Sequence, residues 1–255
     1  MSAMKEQFLN GEIILIDKPL DWTSFQVVNK IRWLIRSTFG IKKIKVGHAG
    51  TLDPLASGLL ILCTGKMTKS IEQFMGQEKE YTGTFTLGAT TPSYDLETEI
   101  DNTFPTDHIT EELLHNTLGQ FVGTIDQCPP VFSALKKDGK RLYEFAREGI
   151  EVEIPARKVN IRSFGLIQKA IPKVDFEVIC SKGTYIRSLA NDYGKALNSG
   201  AHLSALRRTR IGEFNIEQAV SIEDFEEQIK NKAKPRIITK SVPLILYICN
   251  TKKNR

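Results

Sequence analysis

Apolar positions change period along this chain, and each change marks an element. Residues 12–18 are a short β-branched run, which predicts a strand ending in the turn Lys18-Pro19-Leu20-Asp21. Val27, Val28, Ile31, Leu34 and Ile35 then recur at helical spacing, so a helix follows, capped by Thr23 or Ser24 and carrying Lys30, Arg32 and Arg36 on its other face. A continuous apolar run predicts a buried strand over 59–64, and a helix is expected over 68–75. Over 79–88 the pattern alternates, with Tyr81, Phe85 and Leu87 on one side and Thr82, Thr84 and Thr86 on the other, as in a half-buried strand. Beyond it come a helix over 110–121, an Asp138-Gly139 hairpin turn, a short helix over 142–148 and strands over 157–168 and 174–180. A helix over 184–197, a strand near 206–214, a helix over 222–232 and an apolar segment at 237–249 complete the chain before a basic tail. Strands and helices mix without regular βα alternation, so a mixed, largely antiparallel α+β sheet flanked by helices is expected.

Composition narrows the class. With 41% hydrophobic and 25% charged residues, 255 residues suffice for a substantial core without staples. Cys63, Cys128, Cys180 and Cys249 lie far apart and form no Cys/His cluster, which indicates neither a zinc site nor a disulfide framework and fits a reducing, cytoplasmic compartment. The N-terminus has no apolar core of the signal-peptide kind, and no apolar stretch approaches the roughly 20 residues that span a bilayer.

The net charge of +5 matters less than its distribution. Segment 22–52 carries Lys30, Arg32, Arg36, Lys42, Lys43 and Lys45 and no acid, while 81–135 is acidic without a single Lys or Arg. Segment 182–212 is basic again, with Lys182, Arg187, Lys195, Arg207, Arg208 and Arg210 against Asp192 alone. If the fold joins the two basic segments, they make a face for a phosphate backbone; otherwise they are solvated helix faces.

The stretch GHAGTLDPLASG, residues 47–58, gathers His48, Thr51, Asp53 and Ser57 among glycines. Thr64-Gly65-Lys66 resembles the end of a P-loop, but Leu60 and Met67 occupy positions where GxxxxGK[ST] needs Gly and Ser or Thr. GxSxG is absent around Ser57, and His108, His115 and His202 show no ligand spacing that would add to His48 and Asp53. Asp53 before Pro54 reads either as a turn whose carboxylate accepts backbone N–H bonds, or as a carboxylate that the glycines let a substrate approach. On local sequence both roles stay open.

GHAGTLDPLASGLL resembles the aspartate motif of TruB-type tRNA pseudouridine synthases. EIILIDKPLDW (12–22), Lys79-Glu80-Tyr81, SALKKDGKRLYEFAREG (133–149), SKGTYIR (181–187) and GAHLSALRR (200–208) resemble further blocks of that family in the same order, from residue 12 to about 215. The resemblance implies an isomerase that converts uridine-55 of the tRNA T-loop to pseudouridine, with no cofactor and no metal. It places Asp53 on the nucleophile, Arg187 on the arginine that pairs with it, and Tyr81 on the tyrosine that stacks on the base and serves proton transfer. His48, Tyr185 and Leu206 fall on substrate-contacting positions and Lys18 on a lysine near the site. The tRNA T-arm is the expected partner of a monomer that needs no protein partner. Residues 1–248 are expected to form the catalytic domain and 249–255 a basic tail, with no C-terminal RNA-binding domain of PUA type. The alternatives are a non-catalytic tRNA-folding module or a synthase for another RNA. One departure is Thr91-Pro92-Ser93-Tyr94-Asp95, where the family often carries Thr-Asp-Thr-x-Asp.

Overall fold

The computed structural model describes residues 2–137, 139–150, 152–231 and 237–238. Asp138 of the expected hairpin turn, Cys249, most of the apolar segment 237–249 and the basic tail lie outside the described residues.

A helix that the sequence pattern does not announce, α1 (Ser2–Asn10), opens the chain. A polar helix held chiefly by one aromatic gives no periodic signal: Phe8 is fully buried, with its ring 5.6 Å from that of Phe39. β1 (Ile13–Lys18) leads into α2 (Ser24–Phe39), which starts on a Thr23–Gln26 capping box and stops at Gly40 in the left-handed region. β2 (Val46–His48) and β3 (Ala56–Thr64) follow on either side of the Asp53 turn. Ile14, Ile16, Leu60 and Leu62 pack under α2, while Ile13, Leu15, Leu59 and Ile61 join a second cluster with Phe74 and Phe214. Burial on both sides explains why β1 and β3 read as continuous apolar runs.

The helix expected over 68–75 is divided into a 3-10 segment, Gly65–Ser70, and α3 (Ile71–Met75). β4 (Lys79–Leu87) buries Tyr81, Phe85 and Leu87 as its alternation predicts. A small ladder, β5 (Ala89–Thr90) with β6 (Asn102–Thr103), precedes α4 (Glu111–Leu118), capped by Thr110, and β7 (Gly123–Gln127). The hairpin β8 (Lys136–Lys137) and β9 (Lys140–Arg141) leads to α5 (Leu142–Arg147), β10 (Arg157–Ala170), β11 (Lys173–Cys180) and α6 (Ile186–Ala196). The strand expected near 206–214 begins earlier, as β12 (Ala201–Ile211), and breaks at Gly212, after which β13 (Phe214–Asn215) pairs back on it. Small and polar residues in Ala201–Ala205 hide the strand's start. α7 (Ile222–Lys230) and β14 (Ile237–Ile238) complete the described chain.

The main sheet runs β14-β1-β3-β12-β4-β11-β10-β7, with β2 also on β3. Its neighbours are antiparallel except β3 and β12, which run parallel at Ala56–Leu206, Ser57–Arg207 and Gly58–Arg208. Gly58 permits that approach: a Cβ there would lie 2.3 Å from the Arg208 carbonyl oxygen, and its φ is +104°. The aromatic core of Phe85, Phe164, Phe176 and Tyr193 lies beyond β12, under α4 and α6, and the α2 core on the other side. The functional turn sits where these two halves meet.

Candidate active site

The turn that carries Asp53 is pinned at both of its neighbours. Ser24, in the first turn of α2, receives the Leu52 N–H on its hydroxyl at 2.8 Å and donates to the Leu52 carbonyl at 3.0 Å. On the other side the Pro54 carbonyl accepts the Asp21 N–H at 2.9 Å and the Lys18 ammonium at 3.4 Å. Lys18 also donates to Pro19 O at 2.8 Å and Trp22 O at 2.6 Å, and it is fully buried. Burial lowers its pKa from 10.5 to about 8, against the pull of Asp53 and Asp21. Its ammonium is thus spent on carbonyls, so Lys18 braces the turn and does not offer itself to a substrate. Between these braces the Asp53 side chain remains 45% exposed.

Arg187 reaches that carboxylate from the first turn of α6, with Nη2 2.9 Å from Asp53 Oδ2 and its own side chain only 6% exposed. The rest of the guanidinium is fully used: Nε faces Asp95 Oδ2 at 3.5 Å, and Nη1 donates to Ser93 O at 3.3 Å and Phe132 O at 3.0 Å. The sequence offers Asp95 only as the last residue of the block Thr91-Pro92-Ser93-Tyr94-Asp95, with no role attached, and that place is its one signal. With Pro92 in place, this loop is still held by hydrogen bonds. Thr91 donates to Asp95 O, Ser93 bonds Thr98, and the Leu203 N–H of β12 bonds Tyr94 O.

Tyr81 lies on β4 opposite Arg208 of β12. Burial raises its phenol pKa, while the charge and hydrogen bond of Arg208 act in the opposite direction. Arg208 is 1% exposed and donates to Leu59 O at 2.8 Å, Gly50 O at 3.1 Å and Thr51 O at 3.5 Å. His48, at the end of β2, has its pKa lowered first by burial and then by Arg208. A half-buried imidazole whose pKa is lowered in this way favours its neutral form near pH 7.

Asp53, Arg187, Asp95 and Leu206 line one recess, which opens past Leu55 and Leu206 into a groove of about 500 Å³ along β4, β11 and β12. Tyr185 lies two residues before Arg187, with its ring 4.7 Å from the Arg157 guanidinium; its carbonyl accepts from Gln127 Nε2 and its N–H donates to Gln127 Oε1. Asp53, Arg187 and Leu206 therefore share the recess, and Tyr81 and His48 approach through Arg208. Lys18 lies behind the turn, and Tyr185 stands apart beside Arg157. The two basic segments meet, since Arg208 holds Gly50 and Thr51, but much of their charge is engaged internally. Arg207 pairs with Asp17 and Arg210 with Glu78 and Glu80. Lys42, Lys43, Lys45, Lys182 and Lys195 remain exposed.

A family model described as TruB family pseudouridylate synthase (N terminal domain) matches residues 36–186, and one described as tRNA pseudouridylate synthase B C-terminal domain matches 187–242. The chain belongs to the TruB family of pseudouridylate synthases. It is 61% identical over 226 residues to the tRNA pseudouridine synthase B of Flavobacterium johnsoniae, covering 88% of this chain and 99% of that one. With the tRNA pseudouridine synthase B of Phocaeicola vulgatus it shares 55% identity over 231 residues, 91% of this chain and 98% of the other. Among solved structures it resembles a chain of a Cbf5-Nop10-Gar1 complex, with 27% identity and a TM-score of 0.69, over 91% of this chain and 61% of that one. A chain of an H/ACA RNP bound to a substrate RNA containing 2′-deoxyuridine gives 26% identity and a TM-score of 0.66, over 92% and 60%. This chain spans about three fifths of the length of those two solved chains. The two matched segments meet within α6, so Asp53 and Arg187 belong to different segments and yet form one ion pair.

Proposed function

We propose that this protein isomerises uridine-55 in the T-loop of tRNA to pseudouridine, with Asp53 as nucleophile and residues 1–248 as the catalytic unit. The observation that carries the reading is the ion pair between buried Arg187 and half-exposed Asp53, on a chain 61% identical to a tRNA pseudouridine synthase B.

In the net reaction the uracil N1–C1′ bond breaks and a C5–C1′ bond forms, C5 loses its proton and N1 gains one. No electrons are gained or lost, so no redox partner is called for. A carboxylate nucleophile divides this rearrangement into two easier steps. Arg187 favours the ionised form of Asp53 and fixes its direction, because an opposite charge within about 4–6 Å stabilises a carboxylate. The target base must leave its stack to meet a recessed carboxylate, at a cost of a few kcal/mol that contacts in the cleft offset. Leu206 supplies an apolar wall, Tyr81 stacks on the base and takes part in moving the C5 proton, and His48 holds the opened T-loop bases. Tyr185 serves the substrate from the rim beside Arg157. Lys18 acts through the turn carbonyls.

The reading takes the protein as a monomer acting on tRNA without a protein partner. Among the described residues no helix is long and apolar enough to cross a membrane. Cys63 and Cys180 are buried and free, which agrees with action on tRNA in the reducing cytoplasm. The test is to incubate a uridine-labelled tRNA transcript with the protein and with Asp53→Asn. Pseudouridine from the first and none from the second is expected; equal yields would remove Asp53 from the mechanism, and tight binding without product from either would favour a tRNA-folding role.

A further inference from the structure

Arg208 is a fully buried cation that, among the described residues, has no carboxylate as ion-pair partner. The three other arginines of segment 182–212 each have one: Arg187 has Asp53 and Asp95, Arg207 has Asp17, and Arg210 has Glu78 and Glu80. An uncompensated buried charge costs several kcal/mol even after relaxation. Carbonyls could be gathered at smaller cost by a neutral side chain, so the charge itself needs a reason.

Its placement supplies one. Arg208 lies on β12 at the join of the sheet, in register with Gly58 on β3 and with Tyr81 on β4. From there Nη2 and Nη1 hold the carbonyls of Gly50 and Thr51, just ahead of Asp53, while Nε holds Leu59 beyond it. Tyr81 is the cross-strand partner of Arg208, and the guanidinium charge bears on its phenol. One residue therefore links both sides of the candidate site, holding the turn that aims the carboxylate and standing opposite Tyr81. Its charge is also felt by Lys18, Lys79 and His48, each made harder to protonate by it.

We propose that Arg208 is a positioning residue for the isomerisation, which locks the Asp53 turn at a fixed distance from Tyr81 and holds a positive charge on the Tyr81 phenol oxygen. A preorganised charge of this kind helps wherever negative charge develops in the reaction, at the departing uracil or at a phenol giving up its proton. The inference rests on the proposed function and names a residue that neither the motif resemblance nor the ion pair picks out.

The test is single-turnover conversion of a tRNA transcript by wild type, Arg208→Gln, Arg208→Lys, Tyr81→Phe and the Arg208→Lys/Tyr81→Phe double variant, with Kd for the same RNA and Tm measured in parallel. Arg208→Gln is expected to slow conversion at least about tenfold with Kd within about twofold of wild type. Arg208→Lys, which keeps the charge but loses the fork, should recover part of that rate. In the Tyr81→Phe background Arg208→Lys should cost clearly less than alone, because part of its effect passes through the phenol. If Arg208→Gln does not fold, the Arg208→Lys pair of measurements decides. Arg208→Lys at the wild-type rate, a loss confined to Kd, or rates that follow Tm and ignore charge would overturn the role of Arg208. No pseudouridine from wild type would instead overturn the proposed function.

Discussion

Arg187 and Asp53 meet across about half the length of the chain, Nη2 to Oδ2 at 2.9 Å, with the arginine buried and the carboxylate half in solvent. The same arginine faces Asp95, whose side chain is only 6% exposed. Loss of Arg187 therefore strands one buried carboxylate as well as freeing the reactive one. Arg187→Gln is expected to cost about 3–5 kcal/mol of stability, as breaking a buried pair does, and to abolish turnover. Arg187→Lys keeps the charge without the fork, and should fold better while remaining at least about a hundredfold slower. Urea unfolding and a turnover assay on the same preparations check both, and a fully active Arg187→Gln would contradict the pairing.

Ser24 touches no candidate substrate, yet it makes both hydrogen bonds of the Leu52 backbone. Ser24→Ala should cost on the order of 1–3 kcal/mol, because it leaves a buried N–H and carbonyl unpaired. The freed turn should also lower kcat more than it raises KM, since the aim of Asp53 suffers before RNA affinity does. A rise in KM at unchanged kcat would show that the serine supports binding alone.

Gly58 marks the narrowest part of the parallel join. A Cβ there would stand 2.3 Å from Arg208 O and 2.7 Å from Arg208 N, at a φ of +104°. Gly58→Ala must spread β3 from β12, and should cost more than about 2 kcal/mol through strain and clash together. A melting experiment measures it, and an unchanged Tm would refute the close approach.

How much of this was legible in the sequence depended on whether a residue's surroundings are local. The stripe Val27–Ile35 and the alternation from Tyr81 to Leu87 are satisfied within single elements, and they appear where periodicity puts them. The expected sheet class holds as well. α1 rests on one buried phenylalanine, and β12 begins on residues whose fit is made by β4, so neither announces itself. At the site Asp53 was ambiguous locally, because its partner comes from a distant helix. Arg208 and Asp95 were hidden for the same reason: a charged residue reads as surface until long-range contacts bury it.

Lys18 makes stability depend on pH in a stated direction. Its folded pKa of about 8 lies below the ordinary 10.5. Below pH 8 both folded and unfolded chains hold the proton, and the folded state bears the full burial penalty. Between about pH 8 and 10.5 the unfolded chain binds more protons, so stability rises with pH across that window. Lys79, also lowered to about 8 by burial and by Arg208, adds to the rise. Urea midpoints for wild type and Lys18→Met should show wild type gaining on the variant between about pH 7.5 and 9.5. A constant difference would mean that Lys18 titrates at its ordinary value.

The most direct measurement is to locate the pseudouridine itself. A full-length tRNA transcript treated with the wild-type protein is expected to carry one new pseudouridine, at position 55, and the same transcript treated with Asp53→Asn none. A product at another position, or equal conversion by the Asp53→Asn variant, would contradict the account.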